Sequence, residues 1–257
     1  MNRKFFFTTL LALVAIGVMI RLGFWQLDRL TQRRAFNAGV SRRLQAPPLT
    51  FADLTSLGDP LGLEYHAVAL RGEYDFTQQV ALSNQDWQGQ PGVRLITPLV
   101  IADSNRAVLV DRGWIPYEES APANWNKFAE LGMVEVRGWI LPTQTSLFPT
   151  APVTRHQDSW FRVDIAALQA QISHPLLPVY IQQSPDPARK QLPYRSELNV
   201  DLSEGPHMGY AMTWFAFAAI LSVGYAGYVL GGHGQPISQR QLAPGVSKNR
   251  ETKGVGW

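Results

Sequence analysis

The chain of 257 residues has no cysteine. That excludes disulfide stapling, iron–sulfur clusters, thiolate-held zinc or copper, and thiol nucleophiles. Charge is also scarce. Asp, Glu, Lys and Arg make up 17% of the residues, against about 25% in an ordinary soluble protein, so part of the length is expected to lie away from water. The motifs of common catalytic sites are missing as well: no HExxH, no GxSxG, no glycine-rich phosphate loop and no paired-histidine metal spacing. The chain is not disordered, because 46% of it is hydrophobic and it holds eight Trp.

Two stretches lack charge altogether. Phe5–Ile20 has none, and after Arg21 apolar character resumes through Trp25. A helix over Phe5–Leu27 would be about 35 Å long, enough to cross a bilayer, with Arg21 able to snorkel and Trp25 suited to the interface. Met208–Gly232 is 25 residues long without a charged side chain, longer than core helices of soluble proteins usually run without polar residues. A cleaved signal peptide is the alternative for the first stretch. The run is followed by Arg21 and a Trp-bearing segment rather than a small-x-small cleavage site, which favours an uncleaved anchor.

The net charge of +3 hides a strong partition. Residues 1–43 carry +7, residues 231–257 carry +3, and residues 44–230 carry −7. A nucleic-acid binder needs a basic stripe on its folded domain, so this partner class is excluded. Two spans place both termini on one side and the loop between them on the other. Basic residues load both sides, so the positive-inside rule leaves orientation open. The arginines Arg29, Arg33 and Arg34 are expected to lie on a solvated or headgroup-facing helical face.

Beyond the first span, helical character persists from Asp28 to about Leu44, and Pro47-Pro48 ends it. Short β-branched or alternating runs follow: His66–Tyr74, Val80–Asn84, Val93–Ile101, Ala107–Ile115, Val134–Leu141, Trp160–Val163 and Val179–Gln182. Ile165–Ile172 reads as a helix with Asp164 as N-cap. The predicted fold class is therefore a membrane protein of α+β type. Two transmembrane helices (5–27 and 207–232) flank a β-rich domain (28–206), barrel-like or sandwich-like, and residues 233–257 form a basic tail. Arg-Gly recurs at Arg71-Gly72, Arg112-Gly113 and Arg137-Gly138. Glycines at bulges or bends explain this, with a row of partner-facing arginines as the alternative.

Of five histidines, His66, His156, His174 and His233 occupy ordinary strand or loop contexts. His207 opens the second apolar stretch. At 3.6 residues per turn, Tyr210, Trp214, Ala218, Leu221, Tyr225 and Tyr228 fall near its face. An imidazole at the surface with an aromatic two turns deeper could hold an iron macrocycle. Equally, these residues could populate an interfacial aromatic belt, with Ala218, Ser222 and Ala226 packing on the first span.

Four segments carry a resemblance. They are Leu22-Gly23-Phe24-Trp25-Gln26-Leu27-Asp28-Arg29, Val68-Ala69-Leu70-Arg71-Gly72-Glu73-Tyr74, Val108-Leu109-Val110-Asp111-Arg112-Gly113-Trp114-Ile115-Pro116, and His207-Met208-Gly209-Tyr210-Ala211-Met212-Thr213-Trp214-Phe215. With Trp160-Phe161-Arg162-Val163-Asp164 and Pro178-Val179-Tyr180-Ile181, they make the chain similar to the Surfeit locus protein 1 family from about residue 10 to 230. That family comprises assembly factors for haem–copper cytochrome c oxidase. The resemblance implies a bacterial, multi-pass inner-membrane protein with cytoplasmic termini and a periplasmic domain. It implies no enzymatic activity and, as partners, membrane lipid, oxidase subunit I and haem a synthase. Some bacterial relatives bind haem a through the histidine opening the second span, assisted by a tryptophan seven residues later. His207 and Trp214 match that pair, and Tyr210 lies beside them. The approach Ser203-Glu204-Gly205-Pro206 departs from the more Asn-rich lead-in of the family. The function expected from the resemblance is a haem a chaperone for subunit I. A haem-free scaffold for oxidase intermediates is the alternative, with a membrane-anchored periplasmic enzyme third.

Overall fold

The computed structural model describes residues 3–56, 60–145 and 156–231. The expected basic tail and His233 lie outside these. Two compact units emerge: α1 up to Thr31 together with the C-terminal helix, and Gln32–Ser203.

The helix α1 runs from Arg3 to Gln45. Arg42 and Arg43 stand in its last turn, where cations complement the helix dipole, and Pro47-Pro48 follows. The second long helix, which closes the described chain, spans His207–Leu230. Both are long and apolar enough to cross a membrane, and only 6% of the most apolar window of each is buried. The core helix of a soluble protein would be mostly buried, so both helices stand as candidate membrane spans.

In the second unit, a short helix α2 (Phe51–Ser56) precedes seven strands. These are β1 (Ala67–Tyr74), β2 (Val80–Trp87), β3 (Gln90–Ile101), β4 (Ala107–Pro116), β5 (Met133–Pro142), β6 (Ser159–Trp160) and β7 (Leu176–Gln183). A helix α3 (Ile165–Gln169) lies between β6 and β7, and the second long helix is α4. The hydrogen-bonded order is β1-β5-β7-β4-β3, and β1 pairs back onto β3 through Gly72↔Ile101, Glu73↔Val100 and Tyr74↔Leu99. Five strands thus close into a barrel, which decides between the two expected architectures. All neighbours are antiparallel except β4–β7. β2 extends the sheet from β3, and β6 adds to it in parallel.

β1, β4 and β5 match their β-branched runs to within a residue at each end, β7 begins three residues earlier at Leu176, and β2, β3 and β6 differ. The β2–β3 hairpin is longer than its apolar pattern, because polar Gln85 and Asp86 pair with Gly92 and Pro91 up to the turn Gln88-Gly89. Both turn residues have positive φ (53° and 82°), the conformation of a type I′ turn. The Trp160–Val163 run is a strand only at Ser159–Trp160. The helix expected over Ile165–Ile172 stops at Gln169, with Asp164 accepting from Ala167 N at 3.2 Å.

Alternation sorts the core. Val68 and Leu70 of β1, Val108 and Val110 of β4, Val136 and Ile140 of β5, and Leu177, Val179 and Ile181 of β7 share one buried cluster. α3 covers a second cluster through Leu168, and Trp125 seals a third over Leu95 and Ile115.

The same inward phase carries polar groups at one end. Arg112 continues the Val108–Val110 series and is fully buried. Its guanidinium lies 4.9 Å from the ring centroids of both Tyr74 and Phe76. It donates to Gln79 Oε1 (3.1 Å), to the Phe128 carbonyl and to Glu130 (2.8 Å). Thr97 Oγ1 also donates to Gln79 Oε1 (2.6 Å), and the Tyr74 hydroxyl donates to Gln183 (3.3 Å). Alternation places Arg112 inward, and β4 also bulges at this residue. Leu95 faces Gly113 and Ile96 faces Asp111, so Arg112 is the extra residue. Gly113 takes φ +123°, and a Cβ on it would lie 2.6 Å from the Tyr194 carbonyl oxygen. The Asp111 carboxylate accepts the Gly113 N–H at 3.1 Å.

The Arg-Gly pairs therefore do not form a row: Arg71 and Arg137 are exposed, whereas Arg112 is interior. Gly72 and Gly138 are each pressed against a neighbouring strand's carbonyl in unbroken register, and of the three glycines Gly113 adjoins the bulge.

Residues after β7 return to β4, where Trp114 and Tyr194 exchange two backbone hydrogen bonds of 2.8 Å and stack at 8°. At its end this segment meets the last turns of α1. Arg33 donates to Ser203 O (2.9 Å) and pairs with Asp201 (3.0 Å), and Asn37 donates to Leu202 O. Arg33 is thus a tether for this segment rather than a solvated side chain.

Candidate functional site

The predicted site residues all lie on α4. Gly205, at φ +67°, turns the chain into the helix, and Pro206 takes the N-cap position without a side-chain cap bond. His207 is the first helical residue and is half-buried.

Its partner is on α1. His207 Nδ1 lies 2.9 Å from Oε1 of Gln26. A carbonyl oxygen only accepts, so Nδ1 is the donor, and in the neutral imidazole the lone pair then lies on Nε2. This is the arrangement in which a metal-ligating imidazole is usually held, with one nitrogen donating to a fixed acceptor and the other open.

Packing around the pair explains how Gln26 comes within reach. Gly23, one turn earlier, is buried, and a Cβ on it would lie 2.6 Å from the Phe215 ring. Only a bare glycine lets that ring lie against the α1 backbone. Phe24 meets the same ring edge-on, with centroids 5.4 Å apart. Ala211 and Ala218 of α4 are 1% and 4% exposed, giving a seam of small residues. Farther along, Thr9 and Tyr225 share a hydroxyl–hydroxyl hydrogen bond.

The aromatic stripe therefore divides. Trp214 is half-buried and meets Phe217 edge-to-face at 6.3 Å. Tyr210 is 53% exposed. At about 100° per residue it lies roughly 60° around the helix from His207, whereas Trp214 lies within about 20°. Among the described residues, no hydrogen bond or ring contact joins His207 to Tyr210 or Trp214. The helix aligns the three without packing them on one another. Ala218 and Tyr225, expected on the same face, belong to the seam with α1.

The donor set fits an iron macrocycle in two respects: one imidazole nitrogen available for iron, and aromatic surface on the same face of the helix. Among the described residues no three His, Asp or Glu side chains gather as a metal cluster. Gln26 was not singled out by its sequence. The only local signal is a lone amide at the end of the first apolar stretch, and its relation to His207 crosses 181 positions.

Comparison with known proteins adds a further observation. A model of the SURF1 family matches residues 13–219. A SURF1-like protein of Rickettsia felis is 25% identical over 232 residues, covering 86% of this chain and 96% of its own. A SURF1-like protein of Rickettsia bellii is 27% identical over 232 residues, covering 86% and 90%. Surfeit locus protein 1 of Takifugu rubripes is 25% identical over 222 residues, covering 78% and 88%. The family match takes in the barrel and parts of both long helices.

Proposed function

This chain belongs to the SURF1 family, and from that premise we propose that it is a non-enzymatic assembly factor for haem–copper cytochrome c oxidase that carries haem a to subunit I. The observation supporting the haem-carrying part is the pairing of His207 Nδ1 with Gln26, which leaves Nε2 as the nitrogen for iron at the end of an apolar helix.

Haem a would supply an iron that accepts one such nitrogen and a flat apolar ring that seeks lipid-like surroundings. The chain's own part is to orient and to let go. Gln26 fixes the tautomer of His207 and limits rotation of its ring. Trp214 offers an aromatic surface on the same face, and Tyr210, exposed beside it, can cover the ring edge. A single half-buried imidazole holds its cargo less firmly than a closed two-histidine site. That suits delivery to subunit I after receipt from haem a synthase.

We place the protein in the bacterial inner membrane, multi-pass through α1 and α4, with cytoplasmic termini and the barrel in the periplasm. The excess of acid in residues 44–230 makes the domain soluble and repels membrane anions, as expected of a domain held out in water.

Absorption spectra of the detergent-purified chain, expressed with haem a synthesis active, test the proposal. A Soret band lost in His207→Ala is expected. A band that survives the substitution removes His207 from the role. A haem-free scaffold is the second reading, favoured by the lack of contact between His207 and Tyr210 or Trp214. It predicts no Soret band and an oxidase haem content unchanged by His207→Ala.

A further inference from the structure

The polar end of the barrel carries an imbalance of charge that haem delivery does not use. Three guanidinium groups converge on one carboxylate: Glu130 pairs with Arg112 at 2.8 Å, Arg189 at 2.7 Å and Arg195 at 3.3 Å. The side chains of the three arginines are 0%, 17% and 9% exposed, so the surplus of two positive charges is largely withdrawn from water.

Arg112 is better provided for, since two aromatic faces, an amide oxygen and a backbone carbonyl surround it, although its Nε too is buried without a partner. Arg189 and Arg195 are not. Among the described residues their side chains pair with Glu130 alone, and the Nε of each is buried without a partner. A carboxylate offers about four acceptor positions against about fifteen N–H donors on three guanidinium groups. Desolvated charge left in this state is costly, and the usual remedy is an anion.

Space for one exists. A concavity of about 420 Å³ is lined by Arg195, Arg137, Gln183, Ser184, Glu135 and Asp186. Its two acids have partners of their own: Glu135 pairs with Arg137 within the lining at 2.7 Å, and Asp186 accepts the Ala188 N–H at 2.9 Å. The fold holds the arginines in place. Arg195 follows Tyr194, which is hydrogen-bonded to Trp114, and the backbone N–H of Arg189 bonds to the Asp186 carbonyl at 2.9 Å.

We propose that Arg195, on the wall of this concavity, together with Arg189 on the same Glu130 carboxylate, forms a binding site for a phosphate-type oxyanion. Guanidinium forks match the oxygens of phosphate, and a doubly charged oxyanion cancels a surplus of two. The surrounding domain is acidic, at −7 for residues 44–230, so a general basic surface would not produce such binding. Burial lowers the proton affinity of Arg195, the mark of a cation short of compensation. The phosphate could come from solution or from a phospholipid headgroup, since the recognised chemistry is the same.

Calorimetry on the full chain in maltoside micelles, free of phosphate, tests this with inorganic phosphate against chloride at equal ionic strength. Phosphate is expected to bind, with affinity lowered about tenfold in Arg189→Gln and in Arg195→Gln, the effect of losing one charge-assisted hydrogen-bonding group. Glu130→Gln removes the competing carboxylate and should tighten binding. Should that variant fail to fold, Arg189→Lys, which keeps the charge and loses the fork, should give an intermediate affinity. Arg71→Gln, at an exposed position of β1, and His207→Ala should leave binding unchanged, which separates this site from the haem proposal. Competition by vesicles containing phosphatidic acid, but not by pure phosphatidylcholine, would identify a lipid source; lack of competition would identify a soluble one. Phosphate binding no tighter than chloride, or equal binding in Arg189→Gln and Arg195→Gln, overturns the proposal.

Discussion

Gln26 of α1 accepts the Nδ1 proton of His207 of α4 across 2.9 Å. A side-chain amide near the end of one apolar helix thereby sets the state of an imidazole at the start of the other. The bond removes one of two tautomers and directs the remaining lone pair to Nε2.

Gln26→Leu should therefore weaken haem binding without touching the ligand itself. Loss of an outer-shell partner typically costs about 10–100-fold in metal affinity, and Gln26→Glu, which keeps an acceptor, should retain it. Haem titration followed by the Soret band measures both. An unaltered affinity in Gln26→Leu would show that the pair has no part in ligation.

Gly23→Val should disrupt the seam between the long helices, because its Cβ would begin 2.6 Å from the Phe215 ring. Overpacking of this kind costs about 1–3 kcal/mol. Thermal unfolding in detergent should show a lower midpoint, recovered in part by combining it with Phe215→Ala. If the double variant is no more stable than Gly23→Val, the clash lies elsewhere.

Acid should loosen the polar end of the barrel through Glu130. Burial raises its pKa, but the hydrogen bond and charge of Arg112, with the charges of Arg189 and Arg195, outweigh this and hold it below the ordinary 4.5. A depressed carboxylate contributes stability fully above its unfolded pKa and loses it as pH falls through the folded value. Urea midpoints should thus decline below about pH 4.5, and Glu130→Gln should flatten that decline. A wild-type slope in the variant would assign the acid sensitivity to other carboxylates.

Orientation is open to an unusually clean experiment, since the chain has no cysteine. Glu118→Cys, at an exposed site after β4, should react with an impermeant maleimide from the periplasmic side of intact spheroplasts. Ser247→Cys should react only after permeabilisation. The reverse pattern would invert the proposed topology.

The elements were largely legible in the sequence, and their closure was not. Runs such as Val68–Leu70 and Val108–Val110 alternate within a few residues, so local pattern finds them. The Gly72↔Ile101 pairing that turns a sheet into a barrel spans distant strands, and no local period encodes it. Arg112 lies in phase with Val108 and Val110, a signal that was present but overridden by the expectation that arginine faces water. The convergence of Arg112, Arg189 and Arg195 on Glu130 required the return of the chain past Tyr194 to β4. At the site, His207 and Trp214 were visible as one helical face, whereas Gln26 needed the pairing of helices that are far apart in sequence.

β7 occupies the gap between β4 and β5. Until residues 176–183 emerge from the ribosome, the earlier strands can form only an open sheet whose two edges, β4 and β5, carry unpaired backbone groups. Such edges invite pairing with other chains. The barrel is thus completed late in synthesis, after three-quarters or so of the described chain has been made and just before α4. A chain cut short ahead of β7 would expose adhesive strands rather than a smaller working domain, and α4 always arrives at a barrel whose last stave has been made.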